Sequence, residues 1–368
     1  MSLLWTTEFA REGNGLRLFM DICTYCNAGC PQCHRTNPNG LGKADWLPLV
    51  QWSIDDFKKA IPPEDFKGLR NIAFVGSWGD SIMCKDIFEI VEYCISNDTV
   101  VSIETNGSIR DEAWWWDFGV MGGRKLEVRF DVDGIDQEMH SKYRRFTDLD
   151  KVLSNMQTFS QTQARASSQT VVFKHNQEHL EEIRKICMAH GSAVHTNVMS
   201  DRFDGKHNSD EFIGSTFTFT DENGNEDTLI KADRDSLKHD PKVTGSNSDV
   251  LQEKIVCRWA WPRNEVYVKP NGDVVACCYH GNSFWKYLQT GKTTELTRSE
   301  HFKKYIDSRE ESNIFKHSIN DIIKNKWFSK ILPDSWNDDN PIPTCARNCS
   351  TRVKPLHQLR EFIVANET

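Results

Sequence analysis

The chain has 368 residues, 38% of them hydrophobic and 27% charged, which suits a soluble globular protein with one large domain and a smaller one. Its formal net charge of -8 has the wrong sign for a protein whose main partner is a phosphate backbone, which argues against nucleic acid. The N-terminus has no basic region followed by an apolar run, and no segment approaches about twenty consecutive apolar residues. The expectation is a cytoplasmic protein with no membrane anchor.

From 15 to 200, short apolar runs alternate with longer amphipathic ones. The run 16–23 reads as a strand, and 53–61 as a helix with Ser53 as N-cap and acids in its first turn. A strand at 70–76 precedes a helix at 85–96 that places Ile87, Ile90, Val91 and Cys94 on one face. A strand at 99–105, a short helix through the tryptophans at 114–116, and a strand at 125–133 follow. A helix at 149–159, a strand at 169–174, a helix at 178–190 and a strand at 193–198 complete the series. Such alternation implies a parallel sheet covered by helices. Six strands are too few for a closed eight-stranded barrel, so an open, partial barrel is expected, with its chemistry at the carboxyl ends of the strands.

Residues 204–250 are polar and rich in Gly, Asp, Asn and Ser, and read as a connecting insertion in which FIGSTFTFT forms one hairpin strand. A second module spans 251–350, with a hairpin turning at Pro270-Asn271-Gly272. The tail, 351–368, is expected to be helical. The tryptophans at 114–116 are expected in the core.

Twelve cysteines in a long chain without a secretion signal point to metal binding and away from a disulfide scaffold. They cluster at 23, 26, 30 and 33 and again at 257, 277, 278, 345 and 349, while Cys84, Cys94 and Cys187 fall inside apolar patterns as structural thiols. A zinc site draws on two close pairs separated by roughly 12 to 20 residues. Here the pairs 23/26 and 30/33 are three residues apart, a tight loop that suits an iron-sulfur cluster better.

Cys26, Cys30 and Cys33 have the spacing C-x3-C-x2-C. This run resembles the signature of the radical S-adenosylmethionine (radical SAM) enzymes. The resemblance implies a partial (β/α)6 barrel over 1–203 in which three cysteines bind a [4Fe-4S] cluster with one iron open to S-adenosyl-L-methionine. SAM is then reductively cleaved to a 5'-deoxyadenosyl radical that abstracts a hydrogen atom from substrate. Cys23 would be structural. The turn GSWGDS, with Gly79 and Asp80, is similar to the family's glycine-rich turn that meets the SAM amino group, although Asp80 and Ser81 stand where Glu and Pro are common. Thr105 and Asn106 match the family's Thr-Asn-Gly turn. Asp131 in FDVDG stands where many members have Ser, and Arg144 is the candidate partner of the SAM carboxylate. Gln32 occupies the position before the third cysteine, where the family often has an aromatic residue near adenine.

Fourteen residues separate Cys257 from Gly272, and four separate Gly272 from Cys277. This resembles the opening of SPASM and twitch modules, and implies a twitch-like domain holding one auxiliary [4Fe-4S] cluster on Cys257, Cys277, Cys345 and Cys349. Cys278 competes with Cys277, and zinc on the same four cysteines is an alternative. The resemblance further implies a radical SAM oxidoreductase with an electron donor such as flavodoxin or ferredoxin. Twenty-two residues before the cysteine loop are too few for the N-terminal peptide-binding domain of many peptide modifiers, which points to a small molecule, or to a peptide delivered by a partner. Asp131, Asp133 and Asp201 are strand-end acids within reach of a base role, although capping or solvated acids are the ordinary reading. The rivals are a noncatalytic zinc or iron-sulfur structural protein and a nucleic-acid-modifying member of the family. His34, His140, His175, His195 and His280 are read as surface or packing residues.

Overall fold

The computed structural model describes residues 4–7, 15–37, 39–200, 202–203, 214–233, 236–237 and 255–350, together with the backbone of 360–364. Its first half alternates as expected: β1 (Leu16–Met20), α1 (Ile54–Ala60), β2 (Leu69–Phe74), α2 (Ile87–Ser96), β3 (Val100–Thr105), α3 (Glu112–Gly122), β4 (Leu126–Asp131), α4 (Gln137–Ser141), α5 (Leu149–Ser160), β5 (Arg165–Val172), α6 (Leu180–Ala189) and β6 (Val194–Met199). The local reasons are legible. Ser53 accepts from the Asp56 amide while the Asp56 side chain accepts from the Ser53 amide, a reciprocal capping box that starts α1. The buried face of α2 is Ile87, Ile90, Val91 and Cys94.

The polar insertion holds a two-stranded ribbon of β7 (Thr216–Thr220) and β8 (Glu226–Ile230), so the 216–220 part of FIGSTFTFT enters a hairpin. Residues 204–213 and 238–254 lie outside the described residues, as does Asp201. The C-terminal part contains β9 (Glu265–Val268), β10 (Val274–Val275), α7 (Cys278–Thr290), α8 (Glu295–Arg298), α9 (Glu300–Asp307), α10 (Ile319–Lys324), α11 (Leu332–Ser335) and α12 (Pro343–Cys349). β10 pairs antiparallel with β9 through the expected turn, where Gly272 has φ +85 and a Cβ would lie 2.4 Å from Phe315.

The sheet is larger than six strands. Its order is β10-β9-β1-β2-β3-β4-β5-β6-β11. β1 to β6 are parallel neighbours, as the alternation implied, and β9 adds in parallel to the free edge of β1, joining Arg17 to Glu265 and Met20 to Val268. The cysteine-bearing C-terminal part is therefore continuous with the barrel sheet. The expected C-terminal helix is corrected: Arg360–Val364 forms β11, antiparallel to β6, and the rest of the tail lies outside the described residues. The edge of β6 offers a row of unpaired N–H and C=O groups, and a strand satisfies them where a helix would not.

One face of the sheet packs on helices. Val128 and Phe130 of β4 are fully buried, and Phe130 meets Trp115 of α3 at 5.0 Å and Phe159 of α5 at 6.0 Å between ring centroids. Of the three tryptophans Trp115 is fully buried, Trp114 is partly buried, stacked on buried Phe118 against the core, and Trp116 is 43% exposed. The alternate residues face the other way and are polar: Glu104 pairs with Arg129, and Arg17 with Glu265 at 3.2 Å. No helix among the described residues is long and apolar enough to cross a membrane.

Candidate functional site

The chain leaves β1 through Asp21 and Cys23 and enters the loop that holds Cys26, Cys30 and Cys33. Two turns fold it, from the Cys33 amide to the Cys30 carbonyl and from the Thr36 amide to the Cys33 carbonyl, both 3.0 Å. Buried Arg35 clamps it by donating to the carbonyls of Thr24, Ala28 and Trp78 at 3.3–3.5 Å. The sulfurs face donors. The Ala28 amide and Asn106 Nδ2 lie 3.4 and 3.8 Å from Cys26 Sγ, and Arg144 Nη1 lies 3.9 Å from Cys30 Sγ. Burial pushes the Cys30 thiol up to about 12 against the pull of Arg144, and raises Cys26 as well. Burial raises Cys23, Cys94 and Cys187 in the same way, so the grouping of the loop's three thiols and their donors, and not a raised pKa, marks the loop. Cys23 is buried with its sulfur toward the Tyr25 carbonyl at 3.9 Å, as a structural thiol would be.

Above this loop two strand-end turns interlock. Gly79 sits against the first loop so closely that a Cβ would lie 2.3 Å from the Cys23 carbonyl oxygen. Asp80, buried, accepts from the Ile82 amide at 3.0 Å on Oδ1, and on Oδ2 from Thr105 Oγ1, the Asn106 amide and Asn106 Nδ2 at 2.7–2.9 Å. Asn106 Nδ2 also reaches Asn27 Oδ1 at 2.9 Å. The Asp80 carboxylate is thus engaged by four protein donors, close to its full accepting capacity. The geometry has it tie the turn after β2 to the turn after β3.

Arg144 stands beside α4, its guanidinium bridging Asp131 at 3.0 Å and Asp133 at 2.6 Å. Asp133 is wholly buried and also accepts from the Val171 amide at 2.6 Å. Burial lifts Asp131 to about 7, and Arg144 pulls it down by less. Asp131 lies at the carboxyl end of β4, on the polar face of the sheet. Nearby His140 is held neutral by burial, at about 3; Nδ1 accepts from the Asp133 amide, so Nε2 carries the proton toward Thr147. Gln32, buried, accepts from Ser200 Oγ at 2.8 Å, while its Nε2 has no partner among the described residues.

The second set of cysteines lines one cavity: Cys257, Cys277, Cys345 and Cys349 with Trp259, His280 and Trp336. Cys278 is not in its lining, which favours Cys277 as the ligand. Cys277 is the N-cap of α7, and Cys345 and Cys349 lie on one face of α12, four residues apart. Backbone N–H groups turn toward the sulfurs: those of Trp259 and Ala260 to Cys257, of His280 to Cys277, and of Arg258 to Cys349. Burial and the neighbouring thiols raise Cys257 to about 12 and lift Cys277 and Cys345, and burial lifts Cys349. Among the described residues no three Cys, His, Asp or Glu side chains close round a single point as ligands of one ion would. The four thiols ring one cavity, a donor set that could hold an iron-sulfur cluster or zinc.

Between the two cysteine sets lies a pair that sequence reading missed. Asp21, just past β1, and Lys269, just past β9, form an ion pair at 2.5 Å and are 0% and 1% exposed. Asp21 also accepts from the Ser77 amide at 3.0 Å, and Lys269 donates to Asn282 Oδ1 of α7 at 3.2 Å. The ammonium lies 4.9 Å from the Tyr267 ring centre and 5.6 Å from that of Trp78. One buried pair thus joins the turn after β2 to the helix that begins at Cys278.

Residues 257–350 match the SPASM family, an iron-sulfur cluster-binding domain. No curated protein sequence matches the chain. Among solved structures, SuiB of Streptococcus suis is 12% identical, with a TM-score of 0.53 over 86% of this chain and 66% of its own, so this chain spans about two thirds of SuiB. SuiB bound to S-adenosylmethionine matches at 12% identity and TM-score 0.54 over 90% and 77%. The protein anSMEcpe with bound AdoMet matches at 14% identity and TM-score 0.51 over 91% and 89%.

Proposed function

We propose that this chain, which joins the fold of the radical SAM enzymes to a SPASM iron-sulfur domain, is a radical SAM oxidoreductase that abstracts a hydrogen atom from a small-molecule or peptide substrate. When bound, a [4Fe-4S] cluster with one iron open to S-adenosyl-L-methionine supplies the deoxyadenosyl radical chemistry. Cys26, Cys30 and Cys33 would hold that cluster, and Cys257, Cys277, Cys345 and Cys349 one auxiliary cluster. The observation that carries the reading is the convergence of Asn106 and Arg144, from beyond β3 and β4, on the thiols of the loop after β1. Such donors stabilise an anionic cluster.

Gly79, Asp80 and Thr105 shape the interlocked turns on which SAM would rest, and Arg144 holds Asp131 and Asp133 in place beside it. The Asp131 carboxylate, in its ionised form, can take the proton that a net oxidation releases. An auxiliary cluster on Cys257, Cys277, Cys345 and Cys349 would supply redox capacity beside the barrel, and flavodoxin or ferredoxin would supply the electron for SAM cleavage. SuiB has been solved with the precursor peptide SuiA and anSMEcpe with a Cp18Cys peptide, which supports a peptide substrate here.

Anaerobic reconstitution tests the reading. About eight irons per chain and 5'-deoxyadenosine on addition of SAM and reductant are expected, with deoxyadenosine lost in the triple variant Cys26→Ala, Cys30→Ala, Cys33→Ala. Bound zinc without SAM cleavage would leave a structural metalloprotein.

A further inference from the structure

His280 is the third residue of α7 and 1% exposed, its ring edge-on to Phe302 at 5.3 Å. It lines the cavity of the four cysteines. Its Nε2 lies 3.3 Å from Cys345 Sγ, and Nδ1 has no partner among the described residues. Three of the four sulfurs already face backbone N–H groups, those of Cys257, Cys277 and Cys349. The fourth, Cys345, faces side chains instead, those of Trp336 and His280. A buried imidazole is neutral and has one N–H to give. A metal-bound Cys345 is a thiolate that can only accept, so the proton belongs on Nε2.

Resting on the auxiliary-cluster reading above, we infer that His280 is a positioning residue that donates Nε2–H to Cys345 Sγ and raises the reduction potential of the auxiliary cluster. A hydrogen bond to a ligating sulfur draws charge from it and favours the reduced, more negative state. The couple takes up one electron from an external reductant, and no proton or bond changes hands.

The test uses the full chain with Cys26, Cys30 and Cys33 changed to Ala, so that the auxiliary cluster alone is read by a redox titration followed by EPR. In that background His280→Phe is expected to retain about four irons and to be reduced about tenfold less readily, a potential about 59 mV more negative. His280→Gln, which keeps an N–H donor, is expected to recover most of that shift. Equal potentials in the parent and His280→Phe would overturn the inference with the cluster reading intact. Loss of iron in both His280 variants would also overturn it, by making His280 a ligand. A parent background that binds no iron would overturn the cluster reading itself.

Discussion

Replacing Lys269 by Met removes the cation opposite Asp21 and nothing of comparable volume. Asp21 is completely buried, and its carboxylate then retains the Ser77 amide at 3.0 Å but no compensating charge. Removing one member of a buried pair costs about 3–5 kcal/mol, because the partner is left charged in an apolar setting. Burial alone raises Asp21 and lowers Lys269, so both groups carry a desolvation penalty that their contact offsets. Neutralising both, with Asp21→Asn added to Lys269→Met, removes that penalty and should restore at least half of the loss. Urea unfolding of the three proteins at pH 7 measures this, with stability read by linear extrapolation. The sign with pH is also fixed. Without Lys269 the folded-state pKa of Asp21 rises further above 3.8, so the deficit is full at neutral pH and shrinks as pH falls through that pKa. A loss under about 1 kcal/mol, or a double variant no better than the single one, would refute this account of the pair.

Asp131 gives a second pH effect. Its folded pKa of about 7 lies above the ordinary 3.8, so the folded state holds a proton that the unfolded state has released, and stability falls as pH rises from about 4 to about 7. Asp131→Asn should flatten that slope in unfolding curves at pH 5 and pH 7.5. Asp80→Ala strips the acceptor from four donors, and a loss of about 1–3 kcal/mol of turn stability should appear as SAM binding weakened at least tenfold in equilibrium dialysis, with the barrel cluster still formed. Cys277→Ala should lose about four irons, whereas Cys278→Ala should keep them; equal losses would reinstate Cys278 as a ligand.

What could be read from the sequence was local. The Ser53 cap, the buried face of α2 and the turn at Gly272 each depend on residues within a few positions of one another. The cysteine spacings are of the same kind, because a loop of eight residues either fits a cluster or does not. What escaped depends on distant partners. Nothing near Lys269 reveals that a carboxylate waits for it beside β1, and nothing near Asp80 shows that its oxygens are taken by Thr105 and Asn106. His280 reads as an ordinary helix residue until α12 is laid against α7. The edge strands β9 and β11 are short segments whose type is decided by which sheet edge remains open.

The parallel pairing of β9 with β1 sets a timetable for synthesis. Asp21 and Lys269 are 248 positions apart, so at about 5–20 residues per second the ribosome needs roughly 12–50 s to deliver the neighbour of the first strand. During that interval β1 has an unpaired edge, and the loop carrying Cys26, Cys30 and Cys33 hangs from it without the Asp21–Lys269 anchor. Iron supplied to the nascent chain before that would meet three thiols on an unfinished scaffold, so cluster insertion is best suited to follow synthesis of β9 and Lys269.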